Sequence, residues 1–138
     1  MKPDPRRMTL NHLSFPSNDV AATAAFFEHR LGCTVTPFGS SRLAKRPGFD
    51  IVIEDAALHA IAWPHNFHVG FELESVEALH ALFAEFTDAG VVMKTDVFHH
   101  ERGSRFFCEA PGGLLFEINT RSDASETYRK TFESQVAS

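Results

Sequence analysis

Hydrophobic and polar positions along this chain form one pattern that occurs twice. Residues 8–15 alternate apolar and polar, the period of a half-buried strand. Ser17 or Asn18 stands where a helix cap belongs, and Val20, Ala24, Phe27 and Leu31 then recur at helical spacing. Gly32 ends that helix. Residues 33–38 read as a strand, 39–48 as a loop carrying Arg42, Lys45 and Arg46, and 49–54 and 57–63 as strands joined by a turn at Asp55 and Ala56. Pro64 closes this unit. The second pass has a strand at 67–74, a cap at Ser75, and a helix with Val76, Leu79, Phe83 and Phe86 on one face. Gly90 stops it, and strands follow at 91–98, 104–109 and 114–120, the last after a turn at Pro111, Gly112 and Gly113. The order is strand, helix and three strands, twice, in modules 8–64 and 66–121 of a single domain, 8–121. In the tail, 122–138, Tyr128, Phe132 and Val136 stand at helical spacing, which suits a docking helix or a fraying end.

Laying the first copy on the second pairs His12 with His68, Phe15 with Phe71, Val20 with Val76 and Phe27 with Phe83. Two copies are too few for a solenoid. An α+β fold fits better: two βαβββ modules forming an open curved sheet with helices on the outer face. Strand parity supports it. Leu13 and Phe15 oppose His12 and Ser14; Val69, Phe71 and Leu73 oppose His68 and Gly70; Leu114, Phe116 and Ile118 oppose Glu117 and Asn119. The apolar parity faces the helices, so both histidines and the glutamate line the concave side.

A carboxylate set among apolar strand residues costs several kcal/mol to bury unpaired, roughly, so Glu117 needs a partner. One solution is a divalent cation held by His12, His68 and Glu117, with coordination positions left open for water or substrate. The other is contact with solvent, Arg105 or Arg121, each histidine then making a single hydrogen bond.

The 138 residues are enough for one domain with a real core, and the 43% hydrophobic and 22% charged fractions are those of an ordinary globular chain. A formal charge of −5 without a basic aromatic stripe argues against nucleic acid. No apolar run approaches the ~20 residues that span a bilayer, and no secretory signal opens the chain. Cys33 and Cys108 form no CxxC pair and read as buried reduced thiols. The expected location is cytoplasmic.

NHLSF near the start, FHVGFEL at mid-chain and APGGLLFEIN near the end together resemble the vicinal oxygen chelate superfamily of glyoxalases, fosfomycin-modifying thiol transferases, extradiol dioxygenases and bleomycin-binding proteins. The resemblance spans about residues 8–121. It implies paired βαβββ modules around a divalent metal, with ligands at His12, His68 and Glu117. It also implies a homodimer in which the partner often supplies the first-strand histidine. Some relatives place a fourth ligand on the fourth strand. One alignment of the repeat puts Ile61 there, and another puts His59. With Ile61 the set is two histidines and a carboxylate, which suits Fe(II); Mn(II), Zn(II) and Ni(II) are alternatives. Phe106 and Phe107 stand where phosphonate-handling relatives carry a tyrosine. APGGLLFEINT looks most like the last strand of ring-cleaving dioxygenases.

His59 and His100 are candidate acid–base groups. Ser14, Trp63, Phe106 and Arg105 are candidate substrate contacts, and the basic loop residues suit an anionic or phenolic small molecule. The expected function is a metal-dependent enzyme that chelates adjacent oxygens of a small substrate, of extradiol dioxygenase type. The alternatives are a metal-free sequestering protein of bleomycin-resistance type and a glyoxalase-type lyase or thiol transferase.

Overall fold

The computed structural model describes residues 2–131. The chain divides between Ala62 and Trp63 into two compact units. After a 3-10 turn at Pro5–Arg7, the first unit runs β1 (His12–Ser17), α1 (Val20–Leu31), β2 (Thr34–Phe38), β3 (Ser41–Arg46) and β4 (Phe49–Asp55). The second runs β5 (His68–Glu72), α2 (Val76–Asp88), β6 (Val92–Met93), β7 (Arg105–Glu109) and β8 (Leu115–Asn119), followed by α3 (Glu126–Thr131). Each unit is a βαβββ module with a four-stranded mixed sheet, ordered β1-β4-β3-β2 in the first and β5-β8-β7-β6 in the second. In both, the first strand lies parallel to the last, and the other pairs are antiparallel. This is the expected α+β class.

The apolar parity of each sheet meets its own helix. Phe27 is fully buried, 5.7 Å from the Phe15 ring, with Ala44, Ile51 and Ile53 completing the core of the first unit. In the second, Phe106 packs edge-on between Phe83 (5.3 Å) and Phe86 (6.1 Å) of α2, and Phe116 stacks on Phe71. Aromatic pairs in these geometries add to simple area burial. Both cysteines are buried free thiols, and burial pushes the Cys108 thiol up to about 12. The helix ends follow local chemistry. The cap of α1 is Asp19, whose carboxylate accepts from Ala22 N at 3.1 Å, rather than Ser17 or Asn18. Ser17 ends β1 on the helix-facing parity, so its hydroxyl turns inward to Thr23 Oγ1 (2.8 Å). Gly32 closes α1 in the left-handed region, φ 68°, and Ser75 caps α2 as expected.

Three strand assignments differ from the sequence reading. Residues 41–46, expected as loop, form β3: Ala44 is fully buried, Lys45 on the opposite parity is exposed, and the half-buried Arg46 donates from Nη1 to the Leu31 carbonyl at the end of α1. Residues 57–63, expected as strand, are irregular. Both edges of β4 are already taken by β1 and β3, and the chain leaves it through a turn, with Ala57 N donating to Asp55 Oδ1 and Ala57 at φ 53°. Residues 91–98 contribute only Val92–Met93 and a bridge from Phe98 to Arg105, because Thr95 Oγ1 takes the Phe107 N–H that a neighbouring strand would accept. In the tail, α3 includes Tyr128; Phe132 and Val136 lie outside the described residues.

The long connection into β7 is pinned by Asp123. Its carboxylate accepts from Ser104 N (2.9 Å), Ser104 Oγ (2.6 Å) and His99 Nδ1 (2.9 Å). Burial pushes this carboxyl up, but the hydrogen bonds outweigh it and hold it below the usual carboxylate range.

Two predictions follow from this packing. Phe106→Ala should cost about 3–5 kcal/mol in urea unfolding, since the ring is fully enclosed. Asp123→Ala should destabilise at pH 7. A carboxyl depressed in the folded state stabilises above its unfolded value and loses that contribution as pH falls through the folded one. The gap between variant and parent should therefore close as the pH falls below the ordinary aspartate value of about 3.9.

Candidate functional site

The face of each sheet turned away from its helix collects the polar chemistry. In the second unit this face holds His68, Gly70 and Glu72 on β5, Leu115, Glu117 and Asn119 on β8, and Arg105, Phe107 and Glu109 on β7. Gly70 stands directly opposite Glu117, so Glu117 lies two residues along from His68 on the same parity. Both oxygens of Glu117 have donors: Oε1 accepts from Arg105 Nη1 at 2.8 Å and Oε2 from Asn119 Nδ2 at 2.7 Å. The ion pair is enclosed, the Arg105 side chain being 6% exposed and that of Glu117 13%. Arg105 is held from behind as well, because its Nε and Nη2 donate to the Gly103 carbonyl (3.3 and 3.2 Å). Asn119 Oδ1 is buried without a hydrogen-bond partner, an acceptor waiting for a donor.

His68 has one ring nitrogen committed. Its Nδ1 lies 2.8 Å from the Asn66 carbonyl, which only accepts, so Nδ1 carries the proton and the neutral ring's lone pair is on Nε2. Asn66 sits at φ 60°, a conformation asparagine tolerates, and this turns its carbonyl back to the ring. Phe107 meets the His68 ring edge-on at 5.4 Å and stacks on Phe98, giving the histidine an aromatic flank.

The first unit has a matching histidine in different company. His12 Nδ1 is 2.6 Å from Asn11 Oδ1, which again leaves Nε2 as the acceptor. His12 pairs with Asp50 across the sheet, and Asn11, His12, Leu43, Asp50 and Val52 line a cavity of about 310 Å³. Ser14 lies two residues further on and donates to the Glu54 carboxylate. Ser14 faces Val52 as Gly70 faces Glu117, so the fourth-strand position is Val52 rather than Ile61 or His59. An apolar side chain there offers no ligand. Both sequence alignments placed the fourth strand too late in the chain.

The remaining candidates fall elsewhere. His59 is exposed in the irregular segment after β4. His100 is exposed in the turn before Gly103, its Nδ1 accepting from Arg102 N, while neighbouring His99 is tied to Asp123. Phe106 points into the core, and Phe107 is the aromatic on the polar face. Trp63 donates from Nε1 to the Gly112 carbonyl (3.0 Å) and stacks on Phe67. Gly70, Asn66, Phe107 and Asn119 were not singled out from sequence as site residues, although Asn119 shares the parity of Glu117.

Among the described residues no three His, Cys, Asp or Glu side chains form a group that holds a metal by itself. The individual donors nevertheless have the right chemistry. Two imidazoles present Nε2 with Nδ1 hydrogen-bonded to oxygen, and a carboxylate retains a lone pair on each oxygen after its two hydrogen bonds. No helix among the described residues is long and apolar enough to cross a membrane.

Known proteins supply the context. The chain is similar to a possible glyoxalase from Bacillus cereus, at 25% identity over 81% of this chain and 98% of that one, with a TM-score of 0.70. It is similar to oxidase ChaP-H2 at 25% identity, covering 86% and 98%, with a TM-score of 0.65. A lactoylglutathione lyase from Agrobacterium tumefaciens, 12% identical over 86% and 96% with a TM-score of 0.66, shares the fold. No curated protein matches the sequence. The model of one family matches residues 9–118, and the chain accordingly belongs to the Glyoxalase/Bleomycin resistance protein/Dioxygenase superfamily.

Proposed function

We propose that this protein is a metal-dependent enzyme that chelates two adjacent oxygens of a small anionic or phenolic substrate. His12, His68 and Glu117 are its ligands to a divalent cation. The observation that carries this reading is the tautomer shared by the two histidines, each with Nδ1 on an oxygen acceptor and Nε2 left as the donor atom. Ligating histidines are held in this way by their outer hydrogen bonds. Fe(II) is favoured, because two histidines and one carboxylate leave positions open for oxygen and substrate, and Val52 adds no fourth ligand. When bound, the cation would supply Lewis-acid stabilisation of an enolate-like or catecholate-like oxygen pair.

The chain's own residues do the positioning. The Asn66 carbonyl orients His68, Arg105 and Asn119 orient Glu117, and Phe107 with Phe98 offers an apolar wall to a planar ligand. Gly70 leaves the approach to Glu117 clear: a Cβ there would lie 3.6 Å from Glu117 Oε2 and 3.8 Å from Asn119 Nδ2. A homodimer, with His12 contributed by the partner, would bring the ligands together. Ring opening of extradiol type is the favoured reaction, supported by the likeness to an oxidase; glyoxalase-type isomerisation is the alternative.

One observation favours a second reading. Glu117 already has a cation in Arg105, as a metal-free binding protein would require.

Protein purified without chelator should bind Fe(II), Mn(II) or Zn(II) at close to one equivalent per chain. His68→Ala and Glu117→Gln should each lower that affinity about tenfold or more with the circular dichroism unchanged. Less than about a tenth of an equivalent after reconstitution would replace the enzyme with the binder. Anaerobic Fe(II) loading followed by oxygen uptake against catechols, hydroquinones and α-ketoaldehydes assigns the reaction. Gly70→Ala separates site from scaffold. Its methyl meets only ordinary contacts, so stability should hold or rise by about 0.5–1 kcal/mol while ligand binding falls.

A further inference from the structure

The carboxylates on the polar face of the second unit all have cations. Glu72 has Arg121 at 3.6 Å, Glu109 has Lys94 at 3.4 Å, and Glu117 has Arg105 at 2.8 Å. On the same face of the first unit, Glu54 accepts from the Ser14 hydroxyl. The half-buried Asp50 differs: among the described residues, no ion pair or side-chain hydrogen bond reaches its carboxylate. The fold does not ask for a charge there. The matching residue of the second unit is Leu115, which stands opposite His68 as Asp50 stands opposite His12. The strand pairing thus accepts an apolar side chain at this position, and an unpaired carboxylate partly withdrawn from water destabilises.

Asp50 lines the cavity of about 310 Å³ with Asn11, His12, Leu43 and Val52, a volume at the small end of ligand pockets. Leu43 and Val52 are cross-strand partners and give the cavity an apolar floor. The His12 ring turns Nδ1 to Asn11 Oδ1 and leaves Nε2 as an acceptor. One carboxylate and one imidazole do not make a metal cage. Their complement is a single positive charge with several N–H donors on an apolar stem. We propose that this cavity binds a primary ammonium group carried on a short apolar chain or ring, with Asp50 as its counter-ion and Leu43 and Val52 against the stem. An ammonium brings three donors, and hydrogen bonds between charged partners are the stronger kind. The site needs no metal on His12. Lys45 is the internal competitor. It lies directly across from Asp50 on β3, is exposed, and forms no ion pair with that carboxylate. A like charge so close opposes an incoming ammonium, so removing it strengthens the site.

The test uses the full chain freed of metal with a chelator. The probe is 2-phenylethylamine, and 2-phenylethanol has the same shape without the charge. Binding is followed by NMR titration of the Leu43 and Val52 methyl resonances. The amine should shift both and bind about tenfold or more tightly than the alcohol. Asp50→Asn should weaken the amine about tenfold or more and leave the alcohol unchanged. Lys45→Met should tighten the amine about threefold or more. Glu54→Gln removes the same charge further along the face and should change the amine by less than about twofold. Equal binding of amine and alcohol, equal amine affinity in the parent and Asp50→Asn, or no binding of the amine overturns the proposal. So does an equal loss in Glu54→Gln and Asp50→Asn, since diffuse attraction to a chain of net charge −5 would then be the cause. Should Asp50→Asn fail to fold, the amine-to-alcohol ratio and Lys45→Met decide, and a missing effect in either refutes the site. With no metal in the assay, the metal reading stands or falls separately.

Discussion

A guanidinium and a carboxylate, enclosed together on the polar face of the second sheet, are the constraint around which that half of the molecule is arranged. Removing one member of such a pair costs about 3–5 kcal/mol, yet replacing both with apolar groups is often neutral or better. Stability is therefore a poor reason for Arg105 and Glu117 to be where they are. What the pair achieves is placement. It fixes a carboxylate two residues along from His68, on the same parity, with a second donor from Asn119 and a glycine opposite.

Backbone features several residues away hold that placement. The Gly103 carbonyl accepts from Arg105 at a point where the chain passes Thr120 too closely for any side chain at Gly103. Asp123 gathers Ser104 and His99 and so ties the connection entering β7 to the segment leaving β8. Together these contacts make a brace from the last loop of the second unit to its polar face. The helix-facing side of the same strands is filled by Phe106, Phe116 and Ile118, so neighbouring residues on one strand carry separate duties.

The two histidines show how a duplicated module keeps one device while its surroundings diverge. Both have Nδ1 satisfied by an oxygen from a residue just upstream, through a side-chain amide in one case and a backbone carbonyl in the other. Across the sheet the copies part. Asp50 and Val52 line the first, and Leu115 and Glu117 the second. Only the second unit offers a carboxylate at this position, Glu117 opposite Gly70, where the first has Val52 opposite Ser14.

Much of the fold was legible in the sequence because strand parity and helix spacing are local properties. His12 against His68, Glu117 among apolar neighbours, Gly32 and Ser75 at helix ends, and the α+β order all follow from period and residue type. Strand boundaries were less legible. β3 carries three basic residues and resembles a loop, and 57–63 is apolar enough for a strand but meets a sheet whose edges are already occupied. That error displaced the expected fourth-strand position from Val52 to Ile61 or His59. The partners of Glu117 depended on the fold still more. A sequence shows that a carboxylate among apolar residues needs compensation, and Arg105 was one of several candidates. Only pairing β7 against β8 brings Arg105, Glu117 and Asn119 to one face, since hydrogen-bond register joins residues that no local pattern relates.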